Sequence, residues 1–355
     1  METMVQEGLS ALLIRDLCEC SHCRHPQNGQ RLSSVLDLPI TVSVERVIKS
    51  ESHTVFNLSD GHVVTLSNER ISELKRLQHF PDQRGENSKY LWEGKGLDIS
   101  RVRWNEYLSD PAVRLKALRS ISKLGYVLLS DLPKEPETVL EIIDTFGYTR
   151  KTNYGNLFDV RVEENPNNLA FTNLAIAPHT DNPYRNPVPT IQLLHCLRTK
   201  VEGGNSGLVD GFKVAGKIRE LFPEAFEILS SEPFLFRYES ETAILECVAP
   251  IIKLSTTGEI VEIRWNDRSM QSPAMSPEIN LIFDALQKFA AIANDSGMAL
   301  QFRINPGECI IFDNTRLLHL RTAFESGGTR HLQGAYADLD SLFSTIGILE
   351  GKVQG

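Results

Sequence analysis

The chain has 355 residues, 41% of them hydrophobic and 23% charged, and a formal net charge of −9. Those proportions exclude a disordered, collagenous or low-complexity polypeptide, and a typical domain of about 150 residues predicts roughly two domains. No apolar run approaches a membrane span. Met1-Glu2-Thr3-Met4 lacks the basic-then-apolar pattern of a secretory signal, and the acidic balance offers no basic field to nucleic acid or an anionic membrane. The expectation is a cytoplasmic protein with neither as partner.

The N-terminal part, to residue 95, reads as short segments. Ile40, Val42 and Val44 alternate with polar residues, the pattern of a half-buried strand. Val55–Leu58 and Val63–Leu66 flank Ser59-Asp60-Gly61-His62, and Asp-Gly between two β-prone runs signals a hairpin. A short helix is predicted over Asn68–Leu77, and the polar stretch 80–96 reads as a linker. Longer elements follow. Asp110-Pro111 opens a helix that Gly125 closes. Tyr126–Leu129 is a strand and Glu137–Phe146 a helix. Ser276-Pro277 begins another helix, running to Asn294. The rest reads as strands between turns: Pro189–Cys196, Leu208–Gly211, Ile260–Trp265, Leu300–Ile304 and Cys309–Phe312. Strands broken by turns, with helices early and in one insertion, predict an α+β fold around an antiparallel core.

Three constellations carry chemistry. Pro178-His179-Thr180-Asp181 places an imidazole and a carboxylate two residues apart, on one side of an extended segment. With a second histidine they would form a 2-His-1-carboxylate facial triad, the ligand set of non-haem Fe(II) oxygenases. By itself His-x-Asp is equally a polar loop. Farther on, His319 follows a strand–turn–strand pattern and Arg330 lies eleven positions later. A guanidinium binds a carboxylate bidentately, as a keto-acid cosubstrate would require; taken singly, these two are also ordinary structural residues. Third, Cys18, Cys20 and Cys23 lie within six positions, while Cys196, Cys247 and Cys309 are scattered. With no secretory signal, such a trio points to metal rather than disulfides. A tetrahedral zinc site needs a fourth ligand, and His22, His25, His53, His62 and His79 are all candidates by position, His22 the least so because it sits between the cysteines.

Several stretches together resemble the Fe(II)/2-oxoglutarate dioxygenases, and within them the γ-butyrobetaine hydroxylase branch. They are Asn153–Val160, Asn167–Thr172, His179–Tyr184, Ile191–Cys196, Gly203–Ser206 with Val209–Gly211, and Phe312–Asp338. The resemblance covers nearly the whole chain. It implies a double-stranded β-helix (jelly-roll) catalytic core with flanking helices over residues 96–355, preceded by a small β-rich zinc-binding domain over residues 1–95. It implies that His179, Asp181 and His319 bind Fe(II), and that Arg330, with Ser206 beside it, holds the far carboxylate of 2-oxoglutarate. Asn205 stands where relatives usually have Asp. His62 is implied as the fourth Zn(II) ligand, closing a Cys3His site.

The same resemblance implies an aromatic cage of Tyr154, Phe158, Phe171 and Tyr336, with Tyr184 as a further wall. A quaternary ammonium donates no hydrogen bond, so its recognition relies on aromatic faces. Asn168 and Asn266 match positions implied to hold the substrate carboxylate, and Arg268 is an added cation that either meets the substrate or pairs with Asp267 or Glu262. The implied reaction uses O2 and 2-oxoglutarate to hydroxylate a small zwitterionic trimethylammonium compound, γ-butyrobetaine to L-carnitine in first place. 2-Trimethylaminoethylphosphonate and trimethyllysine are alternatives, and a non-catalytic zinc-dependent interaction module is a more distant one. A homodimer is expected from the relatives.

Overall fold

The computed structural model describes residues 9–76, 89–161, 172–273, 277–325 and 328–353. The chain divides into two units, Met1–Asp82 and Gln83–Gly355.

In the first unit, Ser10 caps the helix Ala11–Asp16 by accepting a bond from the Leu13 amide at 3.0 Å. A tight turn follows, in which the amides of Cys23 and Arg24 both donate to the Cys20 carbonyl. Strands β1 (Val44–Lys49), β2 (His53–Leu58) and β3 (Val63–Ser67) form an antiparallel sheet. The Asp-Gly hairpin is present, with Gly61 at φ 84°, a conformation that costs glycine little. Alternate residues Phe56, Leu58, Val64 and Leu66 pack with Ile14 and Ile71 into a small core. The strand expected from Ile40 begins only at Val44: the Val42 amide turns back to the Pro39 carbonyl, and Ile40 is left exposed.

The expected boundary at residue 95 falls inside the second unit. Trp92 is buried, its indole donates to the Leu124 carbonyl at 2.8 Å, and it meets Tyr126 edge-on. One large apolar residue outweighs the polar composition around it. The rest of the expected linker, residues 80–88, lies outside the described residues.

The strands of this unit are β4 (Arg101–Arg103), β5 (Tyr126–Ser130), β6 (Leu157–Arg161), β7 (Ile176–His179), β8 (Ile191–Lys200), β9 (Ser206–Asp210), β10 (Phe234–Glu239), β11 (Ile244–Ala249), β12 (Ile252–Leu254), β13 (Ile260–Ile263), β14 (Ala299–Phe302), β15 (Cys309–Asp313), β16 (Leu317–Arg321) and β17 (Thr329–Ala337). A six-stranded sheet has the order β4-β5-β15-β8-β17-β6, antiparallel except for β4 against β5. A four-stranded sheet has the order β14-β9-β16-β7, and β10-β11 and β12-β13 are separate hairpins.

The period-2 alternation of strands divides the larger sheet's side chains. Val127, Leu129, Leu193 and Ile311 pack on helical residues Leu118, Ile121, Ile142 and Leu342. Leu128, Leu194, Ile310 and Phe312 pack with Leu208, Leu300 and Leu317 of the smaller sheet. Both faces are covered, which is why Tyr126–Leu129 and Cys309–Phe312 read as unbroken apolar runs. The helix Pro111–Leu124 has the expected Asp110 cap and ends at Gly125, φ 90°. The helix placed at Glu137–Phe146 is Thr138–Asp144. The later predicted helix is Ile279–Ala293, starting after the expected Pro277; Ser276 lies outside the described residues.

Among the helices not expected are Gly211–Leu221, Pro223–Ser231 and Leu339–Val353. The first is capped by Asp210, whose carboxylate accepts from the Phe212 and Lys213 amides, so the expected turn at Asp210-Gly211 is a helix start. The first two pack with the helix Ile279–Ala293, Trp265 and Phe236 against Val209 and Leu318, on the outer side of the smaller sheet.

Candidate active site

Strands β16 and β7 pair so that His319 lies directly opposite His179. Their rings approach to 4.0 Å between centroids, at 42°. Asp181 lies just past the end of β7. Its carboxylate reaches back, with Oδ1 3.5 Å from His179 Nε2 and Oδ2 3.9 Å from His319 Nε2. One ligating atom from each of the three residues lies within 4.8 Å of the others.

The backbone around Asp181 is fixed by buried Asn314: the Asp181 amide donates to Asn314 Oδ1 at 2.8 Å, and Asn314 Nδ2 donates to the Asp181 and Pro189 carbonyls. His179 Nδ1 is 2.9 Å from the Ala177 carbonyl, which leaves Nε2 for the site. Burial acts to raise the Asp181 carboxyl's pKa, but His319, His179 and Arg268 hold it well below the usual carboxylate range. Burial, helped by the charge of His179, pushes His319 down to about 3. An ionised carboxylate beside a neutral imidazole is the state in which both ligate a metal, so these three residues fit an Fe(II) centre.

The triad opens onto a cavity of about 480 Å³, within the range of small-molecule sites. Its walls come from both sheets and the β10-β11 hairpin. Arg330 and Tyr336 face it from opposite ends of β17, because alternate residues share a face. Arg330 is 9% exposed and lies over the Phe324 ring at 5.7 Å; burial lowers its pKa. Ser206 and Arg321, opposite each other on β9 and β16, line the same region. Arg321 donates to the Thr172 and Leu174 carbonyls, and burial followed by the charges of Arg330 and Arg268 pulls it down to about 10.

Of the expected cage, Tyr154, Phe158, Tyr184 and Tyr336 all line the cavity. Phe158 stacks on Tyr336 at 5.2 Å and tilts against Tyr154 at 6.0 Å. Gly334 makes that stacking possible, since a Cβ there would lie 2.3 Å from Phe158 Cζ. Tyr184 donates to Asn182 Oδ1 at 2.9 Å, and its hydroxyl lies 3.1 Å from that of Tyr154. Burial raises the Tyr154 phenol to about 12. Phe171 and Asn168 lie outside the described residues.

Tyr238 completes the wall and was not expected. It stacks on Tyr184 at 5.1 Å and meets Tyr154 edge-on at 5.8 Å. Nothing in its motif-free hairpin announces it; the only available signal is its position in a β-prone run, Phe234–Tyr238.

Asn266 and Arg268 also line the cavity. Asn266 Nδ2 donates to the Thr180 carbonyl at 3.1 Å, and its Oδ1 accepts from the Arg268 amide and Nε. Asn266 therefore orients Arg268. Glu262, one partner considered for Arg268, is taken instead by Arg264 and Lys253, and no ion pair holds Arg268 among the described residues.

In the first unit, Cys18, Cys20, Cys23 and His62 bring ligating atoms within 4.8 Å of one another. His22, His25 and His53 are not part of that cluster, and His79 lies outside the described residues. Arg15 donates to Cys23 Sγ at 3.2 Å and to Asp60, whose Oδ2 is 3.1 Å from His62 Nδ1. Burial raises the Cys18 thiol to about 11. Cys20 is pulled down to about 6: burial, the largest single effect, acts to raise it but is outweighed by the amides of His22 and Cys23 and the neighbouring thiols taken together. The donor set and spacing suit a tetrahedral Zn(II). No helix of the described residues is long and apolar enough to cross a membrane.

Residues 93–336 match the model of the taurine catabolism dioxygenase TauD, TfdA family. The chain is 30% identical to a γ-butyrobetaine dioxygenase of Pseudomonas sp. (strain AK-1), over 96% of this chain and 90% of that protein. It is 29% identical to a trimethyllysine dioxygenase of Meyerozyma guilliermondii, over 95% and 89%. Among solved structures it is similar to an asparagine oxygenase in complex with Fe(II), a hydroxyasparagine and succinate, with a TM-score of 0.51 and 17% identity over 66% of this chain and 83% of that one.

Proposed function

The chain belongs to the TauD, TfdA dioxygenase family, and from that premise we propose that it hydroxylates a trimethylammonium substrate, γ-butyrobetaine to L-carnitine. One observation carries the substrate class: an aromatic wall of Tyr154, Phe158, Tyr184, Tyr238 and Tyr336 and an oriented cation, Arg268, line the same cavity as the triad. We read the two facing sheets as a jelly-roll, and Met1–Asp82 as a domain stapled by Zn(II) on Cys18, Cys20, Cys23 and His62.

In this reading His179, Asp181 and His319 hold Fe(II), which with 2-oxoglutarate and O2 supplies the oxidising power to exchange a C–H for a C–OH, with succinate and CO2 as coproducts. The protein's own tasks are positioning and exclusion of water. Arg330 anchors the far carboxylate of 2-oxoglutarate, with Ser206 in the same region. Its buried guanidinium binds an anion more strongly than an exposed one would. The aromatic faces hold the trimethylammonium group, and Arg268, aimed by Asn266, meets the substrate's anionic end. Held at both ends, the chain between them presents one carbon to the iron.

Succinate release measured with γ-butyrobetaine, trimethyllysine and 2-trimethylaminoethylphosphonate tests this. The reading expects γ-butyrobetaine to stimulate release most. Stimulation by none of the three would contradict the cage assignment. The phosphonate is the second reading, favoured by Arg268 itself, a cation with no ion pair among the described residues and suited to a more highly charged anion.

A further inference from the structure

We propose that Gln192 is a positioning residue for the iron centre, acting with Tyr336 as a two-donor clamp on one oxygen of Asp181. This rests on the reading of His179, Asp181 and His319 as the iron ligands. Gln192 Nε2 donates to Asp181 Oδ2 at 2.8 Å, and the Tyr336 hydroxyl donates to the same oxygen at 3.0 Å. The two donors stand directly opposite each other on adjacent strands, β8 and β17, so one rung of the larger sheet presents both. Gln192 is 1% exposed and Tyr336 3%.

The geometry settles the orientation of the amide. Turned over, Gln192 would place its carbonyl oxygen against the carboxylate, acceptor against acceptor. In the orientation present, Gln192 Oε1 is buried with no hydrogen-bond partner among the described residues. A leucine would fill this place between apolar neighbours without that penalty. What the amide supplies here is its donor to Asp181.

Two donors occupy the lone pairs of Oδ2. Oδ1, on the His179 side, is left for the metal, and Asp181 is fixed as a one-oxygen ligand. Tyr336 thus has a second task beyond its ring face, and the two can be separated, because Phe keeps the ring and loses the hydroxyl.

The test is an anaerobic calorimetric titration of the iron-free full chain with Fe(II), for the wild type, Gln192→Leu, Tyr336→Phe and the double variant. Circular dichroism and melting of each variant accompany it. Each single substitution is expected to weaken Fe(II) binding about ten- to a hundredfold, and the double further. Tyr336→Phe should also lower kcat with KM for the trimethylammonium substrate little changed. Tight wild-type binding with both single variants within about twofold of it would overturn the clamp alone. A wild type that binds no Fe(II) would overturn the triad reading and the clamp with it. Should Gln192→Leu fail to fold, Tyr336→Phe, which keeps the packing, decides the matter by the same criterion.

Discussion

The two candidate ligand clusters of this chain are built differently. Cys18, Cys20, Cys23 and His62 offer four soft or borderline donors, three from a single turn, braced by Arg15 and Asp60. Four donors complete a tetrahedral shell and leave no position for a substrate. His179, Asp181 and His319 offer three donors from two paired strands and the loop beyond, and they line a cavity of about 480 Å³. Three donors leave half of an octahedral shell open. A small unit with little core of its own gains from a closed metal staple. The open centre needs a large double-covered sheet to hold its ligands still.

Substitutions at each cluster can break this contrast. Asp181→Ala should abolish substrate-dependent succinate formation, by about a thousandfold or more, while atomic absorption still finds zinc on the chain. Retained turnover would place the reaction elsewhere. Cys18→Ser should cost the bound zinc and the melting transition of the first unit, because metal binding and folding are coupled in such sites. Scanning calorimetry with zinc analysis checks this, and an unchanged zinc content would mean the cysteines are bystanders.

Smaller effects sharpen the account of the cavity. Tyr238→Ala should raise KM for the trimethylammonium substrate about tenfold with little change in kcat, the size of one desolvated cation–π contact. Steady-state kinetics decides; an unchanged KM would remove Tyr238 from the substrate wall.

The mildest prediction concerns His195, fully buried on the helix-covered face of β8. Burial holds its imidazole down to about 4, against an ordinary value of 6.5. The unfolded chain therefore binds the proton more readily, and folding stability falls as pH drops from the unfolded value towards the folded one. Between neutral pH and about pH 5 this amounts to roughly 2 kcal/mol. His195→Leu should melt with a smaller loss of Tm over that interval than the wild type; equal losses would contradict the assignment.

How much of this is legible in the sequence follows from what constrains each residue. Metal ligation restricts residue type and order, so His179, Asp181, His319 and the cysteine trio stand out before any fold is known. Arg330 stands out by its distance from His319 and by the resemblance. Tyr238 belongs to a hairpin with no motif, and its role arises from where β10 brings it. Gln192 reads as a polar interruption in an apolar strand; only the register with Tyr336 and the reach of Asp181 give it meaning. The helix Gly211–Leu221 is hidden because Asp210-Gly211 reads as a turn, although Asp before a helix is also a cap. Trp92 is missed because composition averages over neighbours, while burial is decided residue by residue.

The central claim is that aromatic faces select a positive charge on a substrate presented to the triad. It is tested most directly by comparing γ-butyrobetaine with its carbon isostere, in which a tert-butyl group replaces trimethylammonium, in anaerobic binding to the enzyme loaded with Fe(II) and 2-oxoglutarate. The account predicts that γ-butyrobetaine shifts the visible charge-transfer band and binds about tenfold or more tightly than the neutral-headed isostere. Equal binding of the two, or no response to γ-butyrobetaine, would contradict it.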